Sequence, residues 1–451
     1  MSAAPALRRG WCPGALRPME TGDGWLVRVR PRAGRLSLDA LACIGMAARR
    51  HGNGLVDLSS RGNFQIRGVA PDGHGPLLAL LGEAGLLDPN IRAEGVRNVV
   101  VSPVSDIDPE GTDPVPLANA LEEALVADPA LSALPGKFCF VVDGGGVLHL
   151  DGLTADIRLS LSADGRTVAV DGGGLTLGLC DAGDGVDAAM RLARAAVAFG
   201  PARLADLVRD MGIERFQRAL APLVRSGAAF GRRAPARVHA GPVQDLPALG
   251  LGLPFGRIDA GGIVRLVALA RSAGLGELRL SPWRILFLGP LDGGSMARLV
   301  REAAEIGLVA DPADPLMRIA ACPGAPACAR ATTDTRRDAR AIAAAAPALL
   351  DGSLGMHVSG CAKGCARPGA SGLVLVADGK GAYGLVHEGR PDGDPVTSLD
   401  PGDLSAALSR LAVRAGIGTS AEGDARAALR RLGREGIEAA LRNGEGGGDG
   451  P

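Results

Sequence analysis

Aromatic side chains make up only 3% of this 451-residue chain, histidine occurs six times, and 49 basic residues face 49 acidic ones. Each shortage excludes something. Zero formal net charge leaves no footprint of a general nucleic-acid binder, so no nucleic-acid partner is expected. No apolar run reaches the ~18 residues of a membrane helix, so no membrane span is expected. Residues 1–14 carry no apolar core of signal-peptide length, and a cytoplasmic protein is the expectation.

Glycine is plentiful, with 67 residues, and alanine and arginine are heavily used. Base-composition bias accounts for that excess better than function does. The 47% hydrophobic content argues against intrinsic disorder. At ~100–200 residues per domain, the length allows two to four domains, each with a core of its own.

An internal repeat organises the chain. Gly34-Arg35-Leu36 through Leu58-Ser59 lines up with Gly256-Arg257-Ile258 through Leu280-Ser281 at a constant offset of 222 residues. Arg49 falls over Arg271, Gly52 over Gly274, and Gly85-Leu86 over Gly307-Leu308. The register predicts two structural repeats of about half the chain each, with one site between the halves.

Within a repeat the pattern is α+β. Residues 25–30 alternate, with Trp25, Val27 and Val29 on one face and Leu26, Arg28 and Arg30 on the other, as in a half-buried strand. Leu41, Ile44 and Ala48 have helical spacing over 39–50, and His51-Gly52-Asn53-Gly54 supplies a stop. Strands at 55–59 and 64–68 and a helix near 75–86 complete a ferredoxin-like unit. Longer sections follow, with hairpin signals at Asp143–Gly146, Asp171–Gly174 and Asp378–Gly381 and Ala-rich helices. These glycine runs lack the strand–GxGxxG–helix context, so no nucleotide-binding domain is expected. The division is an arm (1–24), a half-domain (25–95), a section (96–235), a second half-domain (236–315), a second section (316–435) and a disordered tail (436–451).

Four of the eight cysteines form two close pairs, Cys322-Pro-Gly-Ala-Pro-Ala-Cys328 and Cys361-Ala-Lys-Gly-Cys365, separated by 32 residues. Four thiolates are what a 4Fe–4S cluster needs, one per iron. Gly324, Gly360 and Gly364 let backbone N–H groups approach sulfur, and Lys363 and Arg367 set positive charge beside an anionic group. Structural zinc usually has shorter pair spacing, and a disulfide suits an oxidising compartment; both stay as alternatives. Cys12, Cys43, Cys139 and Cys180 are scattered and have no assigned role.

The paired cysteines resemble the cluster motif of the siroheme-dependent sulfite and nitrite reductases. The resemblance extends to Ser60-Arg61-Gly62-Asn63-Phe64-Gln65-Ile66-Arg67-Gly68, Val96-Arg97-Asn98, Leu134-Pro135-Gly136-Lys137-Phe138 and Leu280-Ser281-Pro282-Trp283-Arg284. The short length and the start Cys12-Pro13-Gly14-Ala15-Leu16-Arg17-Pro18-Met19, then Thr21-Gly22-Asp23-Gly24, look more like the precorrin-3B synthase branch. The resemblance implies a pseudo-twofold nitrite/sulfite reductase-like architecture: ferredoxin-like half-domains, a tetrapyrrole-binding first section and a 4Fe–4S second section.

Residues 61–67, read as a strand, put Arg61, Asn63, Gln65 and Arg67 on one side and Phe64 and Ile66 on the other. Alone this reads as a solvated sheet face. Arg97 and Lys137 match positions where the reductases supply cations to tetrapyrrole carboxylates or a bound oxyanion, and Arg284 is a further candidate. Guanidinium forks bind carboxylates bidentately, which suits a macrocycle rimmed with acetates and propionates. Cys139 stands where the reductases usually have a polar residue, which speaks against a sulfite-reducing site.

For the branch, the resemblance implies oxygen-dependent hydroxylation of precorrin-3A with γ-lactone formation. The partners implied are precorrin-3A, dioxygen and an electron donor, either an NADH-linked reductase or ferredoxin. A mononuclear non-haem iron is implied beside the cluster, and siroheme only under the reductase alternative. A two-His-one-carboxylate set is typical of such iron. His149 and Asp151, on one face of an expected strand, and His357, four residues before Cys361, are the candidates.

Overall fold

The computed structural model describes residues 12–225, 227, 230, 233–236, 238–418 and 424–442. Two compact units emerge. The first takes Trp25–Ala310 with the segment ending at Glu20; the second takes Thr21–Gly24 and the chain from Asp311 onward.

In the first unit, the two repeats each build a five-stranded sheet. One runs Met19–Thr21, Gly24–Val29, Phe64–Val69, Leu55–Leu58 and Arg257–Asp259. The other runs Gly241–Pro242, Leu249–Gly252, Ile285–Leu288, Glu277–Leu280 and Arg35–Ser37. Arg35 and Arg257 are related by the 222-residue offset, so the repeats have exchanged edge strands. Ile258 pairs with Val56, and Leu36 pairs with Leu278. An edge that would otherwise expose unpaired N–H and C=O groups is closed in each sheet by its sister repeat.

Helices Leu38–His51 and Ala260–Ser272 follow the exchanged strands, each opened by a capping side chain, Ser37 or Asp259. They pack on each other at Gly45, where a Cβ would lie 2.7 Å from Ile263 Cγ2. One apolar core spans both repeats and contains Val27, Val29, Leu41, Ile44, Ile66, Ile263 and Leu278. Burying each such side chain contributes roughly 1.5–3 kcal/mol. The duplication reaches single dihedrals. Ala33 and Phe255, one offset apart, have φ of 46° and 56°, and Gly62 and Arg284 have 66° and 62°.

Each repeat continues into a mixed sheet. In the first unit Val99–Val101, Phe140–Asp143 and Ile157–Leu161 run parallel, then Thr167–Gly172 and Leu175–Asp181 turn antiparallel. In the second unit Ile319–Ala321, Met356–Ser359 and Ser371–Ala377 run parallel, followed antiparallel by Tyr383–Gly389 and Thr397–Leu399. Helices such as Val115–Ala127, Gly185–Phe199 and Thr335–Ala345 bury apolar faces nearby, and the parallel strands are accordingly mostly buried, with polar members such as Arg158, His357 and Ser359 among their apolar residues.

Three expectations need correction. Asp171–Gly174 and Asp378–Gly381 do turn hairpins, but Asp143–Gly146 does not, because the next strand is parallel. Asp143 instead folds the connection back, its carboxylate accepting from the Gly145 and Leu150 N–H groups. The strand expected over 61–67 begins at Phe64, because Gly62 takes a left-handed φ and Arg61 sits in the preceding turn. The last helix runs from Ala425 to Leu441, so a tail starting at 436 would cut through it. Residues 443–451 lie outside those described, as do residues 1–11 of the expected arm.

Candidate functional site

The cysteine pairs meet because of strand order. Ile319–Ala321 and Met356–Ser359 are parallel neighbours, with Ala321 paired to Val358, so both chains leave the sheet at the same end. Cys322 follows the first strand directly and Cys361 follows the second after Gly360. The Gly360 N–H donates to Cys322 Sγ at 3.2 Å. Cys328 and Cys365 close the two loops. Cys365 reaches the surface, yet burial pushes its thiol pKa up; Lys363 opposes this, and the charges of Cys361, Cys322 and Cys328 add to it. The Cys365 sulfur thus stands within electrostatic range of the other three. All eight cysteines are free thiols.

The surroundings fit a multi-thiolate group. Gly324 has φ 68°, and a Cβ there would lie 2.6 Å from Thr335 Oγ1. At Gly360 a Cβ would meet Ala331 at 2.6 Å, and at Gly364, with φ 62°, it would meet Pro391 at 2.8 Å. At Gly360 the Cβ position is also 3.5 Å from Cys322 Sγ, so there the backbone approaches a sulfur closely enough for its N–H to solvate it. Gly22, in the Thr21–Gly24 turn, has no room for a side chain against Pro326 O and Ala329 N of the first loop. Four thiols gathered at one end of a sheet are a donor set suited to iron, which binds them as thiolates.

The arginine-rich face expected to bind anions lies in the first unit. Arg28, Gln65, Asp57 and Arg257 stand directly opposite one another across four strands, on the side away from the core. Arg257 forks onto Asp57 at 2.7 and 3.0 Å, and Arg67 lies 3.6 Å from the same carboxylate. Arg284 is near enough for Asp57 to raise its pKa, though burial lowers it overall. One carboxylate therefore faces several guanidinium groups, and the face keeps a surplus of positive charge.

Arg28 was not singled out by sequence, although its alternation with Leu26 and Arg30 placed it on this side. Burial, then the like charge of Arg30, push its pKa down to about 10, with Arg61 adding to the effect. Its buried Nε makes no hydrogen bond. Cys12 hydrogen-bonds to the same guanidinium and pulls the pKa the other way, but a thiol leaves the positive charge in place, which suits an anionic ligand. Arg61 donates to the Lys137 carbonyl at 3.1 Å, and the Lys137 residue is exposed. Asn63 is buried in the turn and Gln65 half-buried on the strand. Cys139 is buried in a small apolar cluster with Val100, Val141 and Leu150, against which Trp283 packs.

Arg97 has a different occupation from the one expected. It donates to Asp88 at 2.7 and 3.0 Å, to Glu122 at 3.2 Å and to the Arg30 carbonyl at 2.7 Å, all buried. Desolvation works against its charge, and the Asp88 hydrogen bond and Glu122 more than offset that, raising its pKa. Such a guanidinium is part of the scaffold and not a ligand arm. Neighbouring Arg30 donates to Glu94 O and Pro13 O, which ties the Cys12–Ala15 segment down. A Cβ on Gly14 would collide with the Glu94 carboxylate.

The expected mononuclear set is also altered. His149 and Asp151 lie in a turn and not on a strand, with His149 Nδ1 3.1 Å from Asp151 Oδ2. Asp143 joins them, the three donor atoms lying within 4.8 Å of one another. Every member already has a protein partner. Asp143 accepts two backbone N–H groups, and Asp151 accepts from Arg233 N and Nε at 3.1 Å. The adjoining cavity of about 250 Å³ is lined by Glu110, Asp143 and Asp151 against Arg233, itself bound to Asp151, so acid outnumbers base there. His357 lies fully buried in the second unit, on the strand between Ala320 and Val374. One imidazole with two committed carboxylates is a lock on the 144–156 loop and does not fit a two-His-one-carboxylate centre.

Known proteins resemble this chain in sequence and fold. Residues 17–84 match the nitrite/sulfite reductase ferredoxin-like half domain. The chain is 26% identical to the ferredoxin–nitrite reductase of Synechococcus elongatus, over 80% of this chain and 77% of that protein. The NirA protein of Mycobacterium tuberculosis shares the fold, with a TM-score of 0.71 at 20% identity over 93% of this chain and 85% of that one. A precorrin-3B synthase of Sinorhizobium sp is 35% identical over 97% of this chain and 96% of its own. No helix among the described residues is long and apolar enough to cross a membrane. With a nitrite/sulfite reductase fold and likeness along nearly its whole length, the chain belongs to the precorrin-3B synthase family.

Proposed function

We propose that this enzyme hydroxylates precorrin-3A with dioxygen and closes a γ-lactone on the macrocycle, as a step of aerobic cobalamin synthesis. The observation that carries the reading is the full-length likeness to the Sinorhizobium synthase. Arg28, Arg61, Gln65 and Arg284, with Lys137 beside Arg61, would take the peripheral carboxylates. Arg67 and Arg257, already paired with Asp57, hold the face rigid. Arg97, with all its charge met inside the protein, sets the fold under the face.

Cys322, Cys328, Cys361 and Cys365 would hold a 4Fe–4S cluster, which supplies electrons one at a time. The chain's own part is to keep four thiolates together and line them with backbone N–H groups. The donor would be a ferredoxin or an NADH-linked reductase. No step is assigned to Asp143, His149 and Asp151.

The test is anaerobic purification, then incubation with precorrin-3A, oxygen and a reductant, with the product mass recorded. A mass gain of one oxygen is the expected result; an unchanged substrate would overturn the reading. A siroheme-dependent nitrite or sulfite reductase is the alternative, favoured only by the 26% identity to nitrite reductases. Sharp haem bands in the purified protein would support it, whereas a broad brown shoulder alone fits the synthase. Arg61→Ala should weaken precorrin binding by ~1.5–3 kcal/mol, the range for a hydrogen bond to a charged group. Unchanged affinity in a binding titration would remove Arg61 from the ligand face.

A further inference from the structure

The chain has a single tyrosine, Tyr383, and it is completely buried. Its hydroxyl donates to Asp338 Oδ2 at 2.9 Å, and Asp338 is itself only 5% exposed. Arg337, largely exposed, donates to the other oxygen, Oδ1, at 3.0 and 3.1 Å. A buried carboxylate is costly unless paired and hydrogen-bonded, and Arg337 and Tyr383 together meet that need. What lies beside it is the cysteine centre. Thr335 and Asp338 are three apart in the first turn of helix Thr335–Ala345, so they share a face. Thr335 Oγ1 donates to the Cys322 carbonyl at 2.7 Å and stands 3.8 Å from Cys322 Sγ. Burial pushes the Tyr383 pKa up, a hydrogen bond with Thr333 pulls it back, and the charges of Asp338 and then Cys322 add to the rise.

We propose that the Tyr383–Asp338 pair sets the reduction potential of the group held by the four cysteines. The proposal rests on the iron–sulfur reading of those thiols. A negative charge fixed near the cluster opposes the arrival of an electron and holds the potential low. The Tyr383 hydroxyl, pointing its proton at Asp338, trims that field without abolishing it. Lys363 acts in the opposite sense from the loop side. Tyr383 and Asp338 are positioning residues: neither is a cluster ligand, and each acts through the field at Cys322.

The experiment is a redox titration followed by electron paramagnetic resonance on the full chain reconstituted anaerobically with ferrous iron and sulfide. Four proteins are compared: wild type, Asp338→Asn, Tyr383→Phe and the double variant. Asp338→Asn should shift the midpoint upward, Tyr383→Phe downward, and the second change should have no further effect once Asp338 is neutral. A merely structural pair would lower thermal stability and leave the midpoint alone. Tyr383→Phe keeps the buried ring, so it carries the test even if Asp338→Asn fails to fold. Equal midpoints in wild type and Tyr383→Phe, with iron and sulfide content intact in both, would overturn the pair's role. A wild-type chain that takes up no iron would instead bring down the cluster reading on which the proposal stands.

Discussion

Cys361→Ser yields a protein without the brown absorbance of a cluster and without product. Cys361 leaves the strand next to the one that delivers Cys322, so it belongs to the pair of thiols that the sheet itself brings together. A serine hydroxyl is a hard, weakly acidic ligand and a poor replacement for thiolate on the fourth iron, so the cluster is expected to be lost. Iron analysis should fall from about four per chain toward zero. Cys43→Ser is the control. That thiol lies in the first unit, donating to the Leu80 carbonyl, with burial raising its pKa. Iron content should not change there. Full colour and full turnover in Cys361→Ser would refute the assignment of all four ligands.

Arg97→Ala destabilises the first unit by ~3–5 kcal/mol, the cost of leaving buried charges without a partner. Asp88 and Glu122 are 6% and 1% exposed, so water cannot replace the lost guanidinium. Burial already pushes the Glu122 pKa up, against the pull of Arg97, the Ala33 N–H and Arg32. Arg97→Lys should recover little, because one ammonium cannot fork onto Asp88 while also reaching Glu122 and the Arg30 carbonyl. Urea unfolding measures the effect. Wild-type stability combined with weakened precorrin binding would return Arg97 to the ligand face.

Arg61 and Arg97 were indistinguishable as sequence: each is an arginine in a short motif with the same resemblance. Folding separated them. Arg61 ends at a surface carbonyl, whereas Arg97 is enclosed by two acids 9 and 25 residues away in the chain. Arg28 was overlooked for the converse reason. Alternation put it on the correct side of its strand, but its nearness to Arg61 comes from pairing across the sheet. The turn at 143–146 was misread because glycine-rich hairpins and glycine-rich crossovers look alike until strand direction is known. His149 and Asp151 do meet, two residues apart, yet Arg233 and Asp143 give their meeting its character.

Local and periodic features were legible from composition and spacing alone. The 222-residue repeat, the strand and helix alternation, the four paired cysteines and the glycines beside them all depend on near neighbours in the chain. Tertiary structure alone decided the exchange of edge strands, the convergence of Cys322 and Cys361 from parallel neighbours, and which arginines are bound to buried carboxylates. The physical reason is range. Backbone preference and hydrophobic period act over a few residues, whereas neutralising a guanidinium or gathering thiolates depends on groups that only folding brings together.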